Sequence, residues 1–318
     1  VSGVTVRQLT NYKGHSHHFY FTNPGWYANG AKLLVSSDRA NRTNLYSIHV
    51  ASGVITQLTD LSPVPLPREV EFLRAAVNPV RDEVYFWHGY DLLALDLTTL
   101  EQRAIYRLPD GWDVSMVNVT ADGRHVCASI SEDMSDRFAV DLLRGYVGFR
   151  ETWAAKPLSH VMRIAVDGSG AESLWEENYW IGHVNTSPKL PHLLTFCHEG
   201  PWHLVDNRIW GLDMNTGKVW PIRERTEEGE VVGHEYWHED GVHISYHGRK
   251  ADGDSFFGME RSFRAWPLSL PKIQGLALGW YGARLRRWQR HAPADESPPC
   301  CPHSRHRHTS RDNRLRCQ

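Results

Sequence analysis

The chain alternates between short runs in which apolar side chains recur at every second position and pairs of turn-forming residues that break them. After Asn29-Gly30, residues 32–37 and 44–50 read as strands, a Ser52-Gly53 turn follows, and residues 54–59 make a third strand. A fourth strand for this unit is expected from a neighbour. The order returns at residues 83–87, 91–96 and 102–106 with a Thr98-Thr99 turn, and again after Asp122-Gly123 at residues 125–130 and 162–166. It returns once more at residues 192–197, 208–213 and 218–222 with a Thr216-Gly217 turn, and begins a fifth time at Asp240-Gly241 with residues 242–246. A period of roughly forty residues with a fixed order of turns is the pattern of four-stranded blades around an axis, so the fold class is all-β and the architecture a β-propeller. A β-sandwich also uses short, evenly spaced strands, but it has no reason to repeat the order of its turns. In a propeller, loops from distant parts of the chain converge on one face of a central channel.

Two segments break the pattern. Residues 131–159 interrupt the third unit with a long excursion carrying Arg137, Phe138, Tyr146, Phe149, Arg150 and Trp153, and are read as a flap or wall beside the channel with a helical turn. From about Gly258 the alternation vanishes in favour of arginine, proline, cysteine and histidine, including Pro298-Pro299-Cys300-Cys301-Pro302 and His303 to His308. The expected organisation is an incomplete propeller over 1–257 and an atypical tail over 258–318, disordered or loosely helical.

Composition narrows the function classes. A net charge of -2 supplies no field to steer the chain to nucleic acid or an acidic membrane, and the basic tail alone does not change that reading. No apolar run is long enough to span a bilayer. The five cysteines show neither paired spacing nor a CxxC site, consistent with a reducing compartment. No G-x-S-x-G elbow, phosphate loop or dinucleotide fingerprint is present, which argues against a propeller peptidase.

What stands out is the stretch from Phe196 to Trp237, where Cys197-His198-Glu199-Gly200-Pro201-Trp202, Asp206, Arg208, Trp210 and His234-Glu235-Tyr236-Trp237 crowd ionisable groups against large rings at strand ends. Burying unpaired polar groups costs roughly 1–3 kcal/mol each, so a cleft for a charged, ring-shaped ligand explains the crowding better than a core does. His183, His198, Arg208 and His234 are the candidates to meet near the axis. Arg39, after Ser37-Asp38 at a strand end, is either half of a surface ion pair or a holder of a carboxylate. His15, His17 and His18 fall close enough to suggest a metal, but a strand sends His18 to the opposite face from the other two. Contacts to a ligand suit them better.

The set Gly182-His183, Phe196-Cys197-His198-Glu199-Gly200-Pro201, Val205-Asp206, Arg208, Trp210 and His234-Glu235 resembles the oligogalacturonate lyases, pectate lyase family 22, over residues 4–257. His18-Phe19-Tyr20-Phe21 and Gln57-Leu58-Thr59-Asp60 agree with it. The resemblance implies a seven-bladed propeller in the cytoplasm that cleaves short oligogalacturonides such as digalacturonate by β-elimination, a carbon-oxygen lyase of pectin degradation assisted by a divalent cation, usually Mn2+. It further implies His234 as the base and Arg208 as the group that neutralises the uronate carboxylate, with His183, His198 and Arg39 as substrate contacts. The family's metal ligands, a histidine forty to fifty residues beyond the base, then a glutamine and a His-x-His pair, belong to blades that should follow Phe257. In their place stand His291 and His306-Arg307-His308 without blade pattern, and the metal ligands here are unassigned. A shift of reading frame after about codon 257 would produce such text and an inactive form; sequencing codons 250 to 260 tests it. The alternatives from other classes are a non-catalytic propeller that binds acidic sugars or a protein partner, and a periplasmic propeller-type interaction protein. The sequence sets no oligomeric state.

Overall fold

The computed structural model describes residues 3–64, 73–142 and 145–263. Five antiparallel sheets follow one another along the chain, and within each the strands pair largely in sequence order. They are the five expected blades. The second, third and fourth have four strands each, and the fifth has three, Val231–Trp237, His243–Arg249 and Ser255–Arg261. The first takes its extra strand from its own N-terminal segment and not from a neighbour: Ser16–His17 and Trp26–Tyr27 both pair with Lys32–Ser37. The expected boundary at residue 257 falls inside the last strand, and the tail expected from 258 lies, beyond residue 263, outside the described residues.

Leu193–His198 is buried along its whole length because its blade packs against a neighbour on either face. The core is accordingly split into clusters shared by neighbours. Leu34 and Leu45 of the first blade pack with Val84, Phe86 and Leu95 of the second. Tyr85, Leu92 and Ala94 of the second meet Val126, Ala128 and Ile164 of the third. Cys127 and Val161 of the third meet Ile181, Leu194 and Phe196 of the fourth, and Ile209 of the fourth meets Val232, Ile244 and Tyr246 of the fifth. Full burial of such side chains contributes roughly 1.5–3 kcal/mol each, so the blade interfaces dominate the stability.

The repeated turns have a common cause. Asp96 accepts hydrogen bonds from the backbone N–H groups of Thr98 and Thr99, Asp213 from that of Asn215, and Asp240 from those of Val242 and His243. An aspartate just ahead of the bend mimics a backbone turn at these three hairpins, while at the Ser52-Gly53 turn His49 Nδ1 accepts from Ser52 N instead.

At the axis, hydrogen bonds tie the innermost strands together. The buried Asn23 amide donates to the carbonyls of Ala75 at 3.2 Å and Val117 at 2.7 Å, and Asn118 donates to Asn23 at 3.0 Å. Thr186 of the fourth blade bonds to Asn118, and Trp237 of the fifth donates to the Asn185 carbonyl at 3.0 Å. These bonds link successive blades and fix the inner strands that carry the site. The excursion contains the expected helical turn, a short helix Phe149–Ala155. Its Phe149 ring meets Trp180 edge-on, and its Trp153 ring covers Gly200 so closely that a Cβ there would collide with it.

Candidate functional site

Two of the expected site histidines occupy the same place in successive blades. His183 lies within the inner strand Ile181–Thr186 of the fourth blade and His234 within the inner strand Val231–Trp237 of the fifth. Both strands lose register just there, between Gly182 and Asn185 and between Gly233 and Tyr236. Both histidines have left-handed backbones, with φ of 49° and 53°. A β-bulge with a residue in this conformation re-aims a side chain that regular pleating would send elsewhere. Such strain costs on the order of 1–3 kcal/mol, and it persists where surrounding packing holds it. The preceding glycines make room: a Cβ on Gly182 would sit 3.0 Å from a Glu199 oxygen, and one on Gly233 2.7 Å from the Trp202 ring.

Arg208 precedes the strand Ile209–Asp213 and is almost wholly buried, at 7% exposure. Its Nη1 donates to Glu199 Oε1 at 2.7 Å and to the His198 carbonyl at 3.0 Å, and its Nη2 donates to Glu199 Oε2 at 3.3 Å. Glu199 also accepts from Gly200 N at 3.1 Å and lies 3.1 Å from His183 Nε2. Burial works against the Glu199 charge, but the Arg208 guanidinium and His183 outweigh it and hold the carboxyl well below the usual range. Burial likewise opposes the Arg208 charge, and Cys197, Glu199 and Glu235 outweigh it, so the guanidinium is held above its ordinary value. Arg208 Nε is buried and has no hydrogen-bond partner among the described residues. Because Glu199 takes the Nη1/Nη2 end of the planar fork, the unsatisfied N–H lies on its Nε/Nη2 side.

Trp202 joins Arg208 to His234. The guanidinium carbon lies 5.5 Å from the centre of the Trp202 ring, and the His234 ring meets the same indole edge-on at 5.3 Å. On its other side His234 meets Phe21 edge-on at 5.6 Å, and Tyr20 lies beside His183 at 5.1 Å. Tyr20 and Phe21 thus line the group, while Phe19 is part of the core and His18 accepts a hydrogen bond from Gly25 N. Burial, His247, Arg208 and His183 together pull His234 below the ordinary imidazole value against the pull of Glu235, leaving it neutral near pH 7 although its side chain is open to solvent. Burial pushes the Tyr20 phenol up to about 12, so it stays a donor.

His198 does different work. Both of its ring nitrogens are engaged, with Asp206 at 2.6 Å and Glu177 at 2.8 Å, and the ring stacks on Tyr179 at 3.9 Å. Burial opposes its charge, but the two carboxylates outweigh that and raise its pKa. With neither nitrogen available to a ligand, it anchors the loop whose carbonyl and next residue grip Arg208. Arg39 is placed on the first blade with its guanidinium 4.6 Å from the Tyr12 ring and 5.8 Å from that of Tyr46. His15 bonds to Asp38 at 2.8 Å and stacks against His17. The structure therefore brings together His183, Arg208 and His234, with His198 behind them, and engages Arg39 with aromatic rings.

Sequence reasoning did not single out Glu199, Trp202, Tyr20 or His247 as site residues. Glu199 stands inside the motif that drew attention, and His243, Ser245 and His247 alternate on one face of a strand, so both signals were present.

His183, Cys197 and Glu199 could offer ligand atoms to a metal, all within 4.8 Å of one another. As they stand they do not suit a divalent cation. Glu199 is committed through both oxygens to a guanidinium, whose charge would repel the ion, and burial pushes the Cys197 thiol well above its ordinary value, away from the ligating thiolate.

No helix among the described residues is long and apolar enough to cross a membrane. Two curated relatives are similar over most of this chain. One is the oligogalacturonide lyase of Pectobacterium atrosepticum, 28% identical over 256 residues, 77% of this chain and 62% of that protein. The other is the oligogalacturonate lyase of Dickeya dadantii, 27% identical over 254 residues, 77% of this chain and 61% of that protein. The chain thus spans about three-fifths of the length of these relatives. Among solved structures, an oligogalacturonate lyase in complex with manganese superposes with a TM-score of 0.69 at 24% identity, over 80% of this chain and 67% of that one. The oligogalacturonate lyase from Vibrio parahaemolyticus gives 0.69 at 23%, over 80% and 65%. These two likenesses establish the propeller fold. The family model for oligogalacturonate lyase matches residues 1–259, more than three-quarters of the chain, and the chain belongs to that family.

Proposed function

We propose that the site cleaves oligogalacturonides by β-elimination, with His234 as base and Arg208 as the carboxylate holder. The observation that carries this reading is the shared indole of Trp202, which sets a fixed cation and a neutral imidazole against one ring, with an N–H of the cation unsatisfied. Taking the proton from C5 of a uronate places negative charge on the adjacent carboxylate. A guanidinium already oriented by Glu199 and the His198 carbonyl stabilises that charge without reorganising, and a carboxylate on its Nε/Nη2 edge would satisfy the orphaned donor. His234 accepts the proton; the C5–H electrons form the C4–C5 double bond, the bond from C4 to the glycosidic oxygen breaks, and that oxygen takes up a proton. Tyr20 and His183 line the sugar face, and Arg39 remains a candidate contact for a longer substrate. No step is assigned to a metal. An assisting Mn2+, for which the described residues offer no fitting site, the cytoplasmic location and the place in pectin degradation are the family-level part of this proposal.

Digalacturonate incubated with the protein, with and without Mn2+, is expected to yield an unsaturated uronate absorbing in the near ultraviolet, and His234→Ala to yield none. Product formation that survives His234→Ala removes the base assignment. One observation favours the second reading, a propeller that binds acidic sugars without turnover: among the described residues, the His183, Cys197 and Glu199 group that could hold a metal has its carboxylate committed to Arg208. Calorimetric binding of digalacturonate without product would select it.

A further inference from the structure

His234 has a partner that the proposed reaction does not yet use. His247 lies in the middle strand of the fifth blade, His243–Arg249, opposite Gly233 in the register and directly beside the bulge. His234 Nδ1 and His247 Nε2 are 2.6 Å apart, and the ring centres lie 4.8 Å apart at an interplanar angle of 26°, so the two rings meet edge to edge. Trp202 also touches both rings, and Phe257 of the last strand meets His247 at 6.4 Å.

We propose that His247 is the positioning residue of this site, accepting a hydrogen bond from His234 Nδ1–H and so presenting the His234 Nε2 lone pair to the cleft. The inference rests on the reading of His234 as base. An N···N contact this short needs one proton and one lone pair between the two atoms. Were His234 the Nε2–H tautomer, its outward nitrogen would be a donor and could take no proton. The bonded pair also holds at most one extra proton, since two imidazolium rings would set N–H against N–H. His247 thus does for His234 what a carboxylate does for the histidine of a catalytic triad, with a neutral acceptor in its place. The charged and titratable groups facing the pair are Glu235, Arg208 and His183. Backbone strain alone does not set the ring; the bulge aims it, the edge-on contacts from Phe21 and Trp202 confine it, and His247 chooses the tautomer.

The test is long-range proton–nitrogen NMR of the full chain labelled with 15N-histidine, at pH 8, with the His234 signals assigned by their loss in His234→Asn. The expected result is a protonated Nδ1 and a bare Nε2 at His234. The pattern should persist in His247→Gln, whose amide oxygen can stand near the Nε2 position, and shift towards Nε2–H in His247→Leu. A wild-type His234 carrying its proton on Nε2 overturns the proposal, whether or not either variant folds, and so does an unchanged tautomer in His247→Leu. If digalacturonate is turned over, kcat should fall at least ~10-fold in His247→Leu with KM unchanged and recover in His247→Gln, since a positioned base supplies about 10²–10⁴ in rate. If no turnover is seen, the base reading fails while the tautomer result still decides the role of His247.

Discussion

Removing Glu199 and Arg208 together should cost well short of the sum of removing each alone. Glu199 receives Arg208 at 2.7 and 3.3 Å, Gly200 N at 3.1 Å and His183 Nε2 at 3.1 Å, at 8% exposure. In Glu199→Leu the guanidinium keeps only the His198 carbonyl among these partners and stands as a buried charge with no counter-ion from its own loop. Breaking a buried pair from one side typically costs about 3–5 kcal/mol, while replacing both members by well-packed apolar residues is often neutral. Glu199→Leu is therefore expected to lower the unfolding free energy by about 3–5 kcal/mol. Arg208→Met is expected to cost as much, because it strands the carboxylate. The double substitution should fall well short of the sum, with a coupling at the upper end of the roughly 0.5–3 kcal/mol range seen between contacting residues.

Urea unfolding followed by tryptophan fluorescence measures all four corners of this cycle. A single-variant cost below about 1 kcal/mol, or a double-variant cost equal to the sum of the two, would refute the claim that the pair is one buried unit. The double variant should be folded and without lyase activity. That combination separates the pair's structural role from its place in the chemistry.

Two further outcomes follow from neighbouring groups. The folded His198 pKa lies above its unfolded value, so its ion pairs contribute fully below the ordinary imidazole pKa of about 6.5 and are lost as pH rises through the folded value; wild-type melting temperature should decline over that window, and His198→Gln should flatten the decline, an unchanged pH profile counting against the charged ring. Gly233→Ala should cost about 1–3 kcal/mol by overpacking and, because its Cβ drives into the Trp202 ring that orders both Arg208 and His234, should cut turnover of digalacturonate more than any stability loss explains; full activity would show that Trp202 is not the link between them.

The fold was legible because the middle strands of the blades are regular. Asp91–Asp96, His125–Glu132 and Leu193–His198 alternate or run apolar without interruption, and Asp-led turns punctuate them. The inner strands were not legible as strands. Trp112–Val119, Ile181–Thr186 and Val231–Trp237 each carry a register shift, which destroys the two-residue period on which strand reading depends. The outer strands Ala171–Asn178 and Ser255–Arg261 are too polar and exposed to register as apolar runs. The same bulges that hide the inner strands aim His183 and His234, so the site residues were visible by chemistry while the elements carrying them were not.

That coincidence explains why one histidine looks alike in three cases and acts differently in each. His183 and His234 sit at equivalent bulges, yet His183 faces the Glu199 carboxylate and His234 faces another imidazole. His198, at the regular end of a middle strand, is clamped by two acids. Residue type and spacing gave all three the same standing as candidates. What divides them is the nearest acceptor: carboxylates engage both nitrogens of His198 and raise its pKa, whereas in the arrangement proposed above His234 has an imidazole on one nitrogen and keeps the other for a proton. A blade repeat supplies positions, and the neighbours placed at each position by the adjoining loop decide whether it binds, braces or reacts.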